Sequence, residues 1–358
     1  MLSNTKTIKV LIVDDSAFMR NALKSMITTD PGINVVGMAR DGLEAIDLVQ
    51  KLKPDIVTLD VEMPKMNGME TLKVIMEKFP LPVIMVSSLT VEGAQTTLDA
   101  LDLGAVDFIP KNLSDLSINI MNVKLMLIDK IKQIGQRGIR LPRKIGTTPK
   151  PASTLRPHVV PAASVQFNSS KRIGLVAIGT STGGPKALQS LIPVLPKNLS
   201  VPVVVSQHMP ANFTGPFAER LNQLSQITVK EAKSGEKLES GVVYIAPGIG
   251  HMSIVRRGID KIIQVAENAE YIYRPSVDVM MLSVVTLYPG ACLGVILTGM
   301  GNDGLKGMQA IKESGGRTIA QDEETCVVYG MPKAVVDAGY ADKIVPINDI
   351  AGEIINSI

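Results

Sequence analysis

From residue 7 to residue 111 the chain alternates short apolar runs with amphipathic stretches, the runs being TIKVLIV, INVVGMA, DIVTLD, PVIMVSS and AVDFI. Apolar runs without polar alternation belong to strands covered on both faces, so five such strands with helices between them predict a parallel, doubly wound α/β sheet. The amphipathic stretch LSDLSINIMNVKLMLIDKIKQI closes this first unit. From residue 173 the alternation restarts with IGLVAIG, PKALQSLIPVL, VPVVVSQ and NFTGPFAERLNQL, then short strands around 227 to 265, a helix near 277 to 288, and the apolar run ACLGVILTG. That pattern predicts a second α/β unit. Between the two, the chain is rich in Pro, Ser, Thr and basic residues and has no sustained period, which predicts a semi-extended linker. The expected organisation is a first domain over 1–130, a linker over 131–172 and a second domain over 173–358.

Residues 279–300, VMMLSVVTLYPGACLGVILTGM, carry no charge over a span long enough to cross a bilayer. Tyr288-Pro289-Gly290 interrupts it, so the expectation is a helix end, a turn and a buried strand, with no insertion into a membrane.

Charge changes the picture only by where it sits. The net +3 is concentrated in residues 125–172, which hold 10 Lys/Arg and one acid, whereas residues 1–124 hold 12 against 16 and residues 173–358 hold 15 against 17. Both expected domains are slightly acidic, so a DNA-reading output is disfavoured. Trp is absent and Phe plus Tyr number 12, too few for a base-stacking platform, so no nucleic-acid partner is expected. Two cysteines, Cys292 and Cys326, lie in apolar surroundings and read as reduced thiols. With an N-terminus that lacks the apolar core of a signal peptide, the expected compartment is the cytoplasm.

Three acids stand where strands of the first sheet should end: Asp14 and Asp15 after VLIV, and Asp60 after DIVTL. Strand carboxyl ends are where open α/β sheets bind ligands. Clustered carboxylates repel unless a cation sits among them, and hard oxygen ligands suit Mg²⁺. The alternative for Asp15 is a cap on the helix that starts at Ser16. Ser87 at the fourth strand end and Lys111 after the fifth add a hydroxyl and an ammonium around one possible anion.

In the second unit, Gly179-Thr180-Ser181-Thr182-Gly183-Gly184 follows a strand and precedes a helix, matching G-x-S-x-G. Such a turn either exposes a serine nucleophile or cradles a phosphate on helix amides. A serine needs a base, and only His158, His208 and His251 exist. His158 lies in the linker, His208 ends VPVVVSQ, and His251 is the reserve. Asp303, in TGMGNDG after ACLGVIL, is an orienting carboxylate or only a helix cap. The order Ser, His, Asp differs from that of α/β-hydrolases, so that fold is not expected.

Residues 6 to about 125 resemble the receiver domain of bacterial response regulators, on Asp14-Asp15, Asp60, Ser87 and Lys111 in their spacing. The resemblance implies a flavodoxin-like fold, Asp60 as phospho-acceptor, Mg²⁺ held by Asp14, Asp15, Asp60 and the backbone carbonyl of Glu62, Ser87 and Lys111 on the phosphoryl group, and Phe108 as an aromatic switch. Receivers usually carry proline after this lysine; here Asn112 follows and Pro110 precedes. Residues 173 to about 345 are similar to the protein-glutamate methylesterases of bacterial chemotaxis, the CheB family, on GTSTGGP, QHMP, APGIGHM, RPSVDVM, ILTGMGNDG and CVVYGMP. That similarity implies a Rossmann-like catalytic domain with Ser181 as nucleophile, His208 as base, Asp303 as orienter and the Met300 amide as oxyanion donor. It also implies a chemotaxis histidine kinase as phosphodonor, chemoreceptors as substrates, demethylation of glutamate methyl esters and deamidation of selected glutamines, and no cofactor for the hydrolysis. Thr180 stands where the family often has alanine. The competing reading is a receiver joined to a non-catalytic module that binds a phosphate, a nucleotide or a protein.

Overall fold

The computed structural model describes residues 7–111, 120–137, 171–267 and 273–358. The expected linker over 131–172 falls mostly outside the described residues, as do His158 and Asn112; its first residues, 131–137, are not linker but continue a helix over Ile120–Arg137, because Ile131 and Ile134 are buried against the first sheet.

The first half runs β1 (Ile8–Val13), α1 (Ala17–Ile27), β2 (Ile33–Ala39), α2 (Gly42–Leu52), β3 (Ile56–Asp60), α3 (Gly68–Lys78), β4 (Val83–Ser87), α4 (Val91–Leu103), β5 (Asp107–Pro110) and α5 (Ile120–Arg137). Its five strands are parallel in the order β2-β1-β3-β4-β5. The helices begin where a short polar side chain can accept an otherwise orphaned amide: Ser16 from Met19, Asp41 from Glu44, Asn67 from Glu70 and Thr90 from Gly93. Asn67 and Glu70 complete a capping box. Asp15 is therefore not the cap of α1. Ser16 takes that role, and its own amide donates to Asp14 Oδ1 at 2.8 Å, which leaves Asp15 exposed.

The second half runs β6 (Leu175–Thr180), α6 (Gly184–Leu191), β7 (Val203–Gln207), α7 (Ala211–Leu224), β8 (Thr228–Glu231), β9 (Val242–Ile245), β10 (His251–Arg257), β11 (Asp260–Ala266), α8 (Val277–Leu287), β12 (Cys292–Ile296), α9 (Leu305–Glu313), β13 (Arg317–Gln321), α10 (Met331–Asp337), β14 (Lys343–Val345) and α11 (Ile347–Ser357). Seven strands form one parallel sheet in the order β14-β13-β12-β6-β7-β9-β8. The chain starts in the middle at β6, passes to β7, reaches the edge at β8 and fills the gap with β9, then returns to β12 and works outward on the other side. That reversal between β6 and β12 is a topological switch point, where loops diverge and open a crevice.

The parallel expectation holds for both sheets, with one local addition. β10 and β11 form a separate antiparallel hairpin joined by Gly258-Ile259. Gly258 takes φ +63 at the first central position, a conformation that favours glycine and suits a two-residue hairpin turn. The uncharged stretch resolves into α8, a turn and the fully buried β12. Among the described residues, no helix is long and apolar enough to cross a membrane.

The two halves touch along α4, β5 and α7, and again where Met300 and Val328 join an apolar cluster that includes Ile128 and Ile131 of α5. Phe108 and Phe213 stack with centroids 4.5 Å apart and planes 13° from parallel. Arg220 reaches Asp99 at 2.6 Å and also Asp102, and the Asn212 amide donates to the Leu89 carbonyl. One apolar cluster continues across the seam through Leu98, Leu101, Phe108, Phe213 and Phe217.

Candidate active site and acidic cluster

Ser181, His208 and Asp303 come from three neighbouring strand ends, after β6, β7 and β12. At the first, Gly183 adopts φ +77, which lets the chain turn sharply out of β6 and into α6. The Ser181 amide donates to the Thr298 carbonyl at 3.1 Å, and the Thr180 hydroxyl donates to the same oxygen at 2.8 Å. Thr180 thus ties the Ser181 turn to the β12 loop, a bond that alanine could not make.

His208 Nδ1 lies 3.1 Å from Ser181 Oγ, and Nε2 lies 2.7 Å from Asp303 Oδ2. A carboxylate can only accept, so Nε2 carries the proton and Nδ1 offers its lone pair to the serine hydroxyl. The two ring nitrogens are used in the opposite sense from the chymotrypsin-type arrangement, where Nδ1 faces the acid.

Asp303 does not cap α9, because Gly304 occupies that position. Its carboxylate instead accepts the Val277 amide at 2.7 Å, the Asp278 amide at 3.0 Å and the Ser276 hydroxyl at 3.0 Å, all at the N-terminus of α8. Burial alone would raise its pKa. The His208 bond and charge, with the Asp278 and Val277 amides, outweigh that and hold the carboxyl below its ordinary value.

His251, the reserve base, is buried elsewhere: its Nδ1 accepts the Ser276 amide at 3.0 Å. It supports the support of Asp303. The backbone around Met300 is pinned, since the Gly299 amide donates to Val328 and the Gly299 carbonyl accepts from Gly330 and Met331.

Three residues at this site were not expected. Gln207 Nε2 donates to the Ser181 and His208 carbonyls, each at 3.0 Å, bridging the two strand ends. Ser276 joins α8 to Asp303. Tyr273 stacks on His208 with centroids 4.7 Å apart and planes 4° from parallel. The only signals in the sequence were a polar residue at a strand end, a helix-capping serine in RPSVDVM, and an aromatic in a chain that has few.

At the ends of β1 and β3, carboxylate oxygens of Asp14, Asp15 and Asp60 lie within 4.8 Å of one another. Lys111 Nζ bonds Asp60 Oδ2 at 2.6 Å and lies 3.4 Å from Asp14. One ammonium does not balance three carboxylates. Burial pushes the Asp60 carboxyl up to about 6, with Lys111 lowering it and Asp14 raising it further. Asp14 is raised too, chiefly by burial, and its Oδ2 meets only the Lys111 ammonium at 3.4 Å. A buried carboxylate oxygen whose one charged neighbour is an ammonium shared with Asp60, beside two more carboxylates, suits a hard cation. Ser87 points its hydroxyl at the Gly93 carbonyl, 3.2 Å away, and accepts from Thr97 at 2.7 Å. Phe108 is buried against Phe213, so the residue expected to act as a switch faces the second half directly.

An acidic strand-end cluster on one parallel sheet and a hydrogen-bonded Ser-His-Asp set on another define a receiver joined to an output of serine-hydrolase type. The family profile described as response regulator receiver domain matches residues 10–120, and the one described as CheB methylesterase matches residues 176–354. The chain belongs to the protein-glutamate methylesterase/protein-glutamine glutaminase family. It is 48% identical over 366 residues to such a protein from Oleidesulfovibrio alaskensis, covering 98% of this chain and 99% of that one. A relative of the same description from Pyrococcus abyssi is 45% identical over 357 residues, covering 99% and 94%. The crystal structure of the Thermotoga maritima CheB methylesterase catalytic domain matches with TM-score 0.51 and 44% identity, covering 52% of this chain and 99% of that one.

Proposed function

We propose that this chain is a phosphorylation-activated serine hydrolase that removes methyl groups from glutamate esters, and amide groups from selected glutamines, on bacterial chemoreceptors. The observation that carries the reading is the continuous hydrogen-bonded line from Ser181 through His208 to Asp303. Ser181 Oγ attacks the ester carbonyl while His208 Nδ1 takes its proton, and Asp303 holds the imidazole and stabilises its charged form. The Met300 amide receives the developing oxyanion. His208 then gives the proton to the leaving oxygen, which departs as methanol, or to the leaving nitrogen of a glutamine, which departs as ammonia; water, deprotonated by His208, then attacks the acyl carbonyl and Ser181 leaves with that proton. No metal or organic cofactor takes part in this half.

In the first domain, which α5 extends to Arg137, Asp60 accepts the phosphoryl group from a chemotaxis histidine kinase. Asp14, Asp15, Asp60 and the Glu62 carbonyl would hold Mg²⁺, which neutralises charge on the phosphoryl oxygens. Lys111 and Ser87 complete the contacts, Ser87 by leaving the Gly93 carbonyl. The basic linker, which begins after α5 and runs to residue 172, lets the catalytic domain, over 173–358, separate from the receiver in the cytoplasm. Without phosphate, the receiver restrains the catalytic domain through Phe108 on Phe213 and the Asp99 and Asp102 pairs with Arg220.

The test is methanol release from a methyl-esterified receptor fragment, with and without a small-molecule phosphodonor. Release that rises with phosphodonor and is lost by about 10⁴-fold or more in S181A is the expected result. Turnover that survives S181A would leave the Gly-rich turn as a binding cradle and remove the hydrolase reading.

A further inference from the structure

We propose that Tyr273 is a positioning residue for the general base, holding the His208 ring in the plane that aims Nδ1 at Ser181 and Nε2 at Asp303. The proposal rests on the triad reading given above. Two edge-on hydrogen bonds fix where the imidazole nitrogens lie, but neither resists rocking of the ring out of its plane. A half-turn about the Cβ–Cγ bond would put carbon in place of both nitrogens and break both bonds. A second flat ring at 4.7 Å and 4° closes one face against such motion.

The segment that carries Tyr273 is itself tied to the end of β7 on both sides of the base. The Met209 amide donates to the Arg274 carbonyl at 3.3 Å, and the Ser206 hydroxyl donates to the Pro275 carbonyl at 2.9 Å. Tyr273 therefore moves with the strand end that presents His208. Its hydroxyl lies beside Gly301, where an added Cβ would come within 3.5 Å, so the same ring also borders the loop that contains Met300.

The stack has a second consequence when Nδ1 accepts the serine proton. An aromatic face attracts a cation, so the imidazolium formed in the reaction is favoured over the neutral ring. Tyr273 stays a neutral phenol in this role: burial, with the nearby charges of Asp129 and Asp303, raises its pKa. Among the described residues, the charged groups acting on this assembly are Asp303 on the imidazole, Asp129 of α5 on the tyrosine and Asp278 of α8 on Asp303.

The experiment compares full-length wild type, Y273F, Y273L and S181A in methanol release under saturating phosphodonor, so that receiver restraint is removed. Y273F keeps the flat face and should stay within about threefold of wild type. Y273L should lose about tenfold or more in kcat with little change in KM, because the imidazole has lost the flat neighbour that holds it and favours its charged form. Y273M, which fills the space without a flat face, serves the same comparison where Y273L does not fold. Wild-type kcat in Y273L or Y273M, or a loss carried by KM with kcat unchanged, would overturn the proposal, as would a loss in Y273F equal to theirs. An active S181A would instead overturn the triad reading, so the two failures are distinguishable.

Discussion

At the residue scale, the site depends on Asp303 accepting from four donors while facing only one catalytic partner. Replacing it with Asn keeps the shape but offers an N–H toward Nε2, which favours the tautomer with its proton on Nδ1, the wrong nitrogen to receive one from Ser181. D303N should therefore lose about 10⁴-fold in kcat, measured by methanol release, with binding of the receptor fragment preserved. The same residue sets a pH dependence of stability. Its carboxyl is held below the ordinary value in the folded chain, so it contributes stability above the unfolded value of 3.8, and that contribution is lost as pH falls through the lower, folded value. Thermal melts should show wild type losing stability below about pH 4 more steeply than D303N. Because Asp303 remains ionised through the neutral range, the acid limb of hydrolysis reports another group.

At the scale of elements, α7 couples the two halves. It begins three residues after His208, carries Asn212 and Phe213 in its first turn and Arg220 further along, and meets the β4–α4 loop, β5 and α4. Phe108 and the loop after Ser87 thus both press on a helix joined to His208. The Arg220 pairs are half-exposed and worth no more than about 1 kcal/mol each, so they bias the packing without locking it. R220A should raise methanol release without phosphodonor about two- to tenfold and reduce the further gain on adding phosphodonor. An unchanged ratio of the two rates in R220A would remove this helix from the restraint.

Across the whole molecule, the acidic cluster ties receiver stability to cation binding. Three carboxylates near one ammonium repel until a divalent cation joins them, so Mg²⁺ should raise the melting temperature of the receiver transition. At a hundredfold excess over Kd the gain is about 2.7 kcal/mol. Scanning calorimetry should show it in wild type and not in D14N or D15N, while the transition of the second half stays where it was. The same variants, and D60N, should respond little to phosphodonor in methanol release.

Much of this was legible in one dimension, because apolar runs without alternation specify covered parallel strands whatever their neighbours are. The runs located both sheets, and the strand-end positions of Asp14, Asp60, Ser181, His208 and Asp303 follow from them, since loops at strand carboxyl ends share one edge. Scarcity narrowed the base to three histidines. What the sequence did not contain was direction and company. Only the folded chain shows that Nδ1 faces Ser181, because that depends on the angle at which β7 delivers His208 relative to β6 and β12. Only it places Tyr273 on the imidazole and His251 behind Ser276, since these contacts join segments far apart in the chain. The stacking of Phe108 on Phe213 is decided in the same way, by two surfaces meeting. Period and residue chemistry are local and can be read along the chain; the partner of a side chain is set by packing between elements, and that exists only in three dimensions.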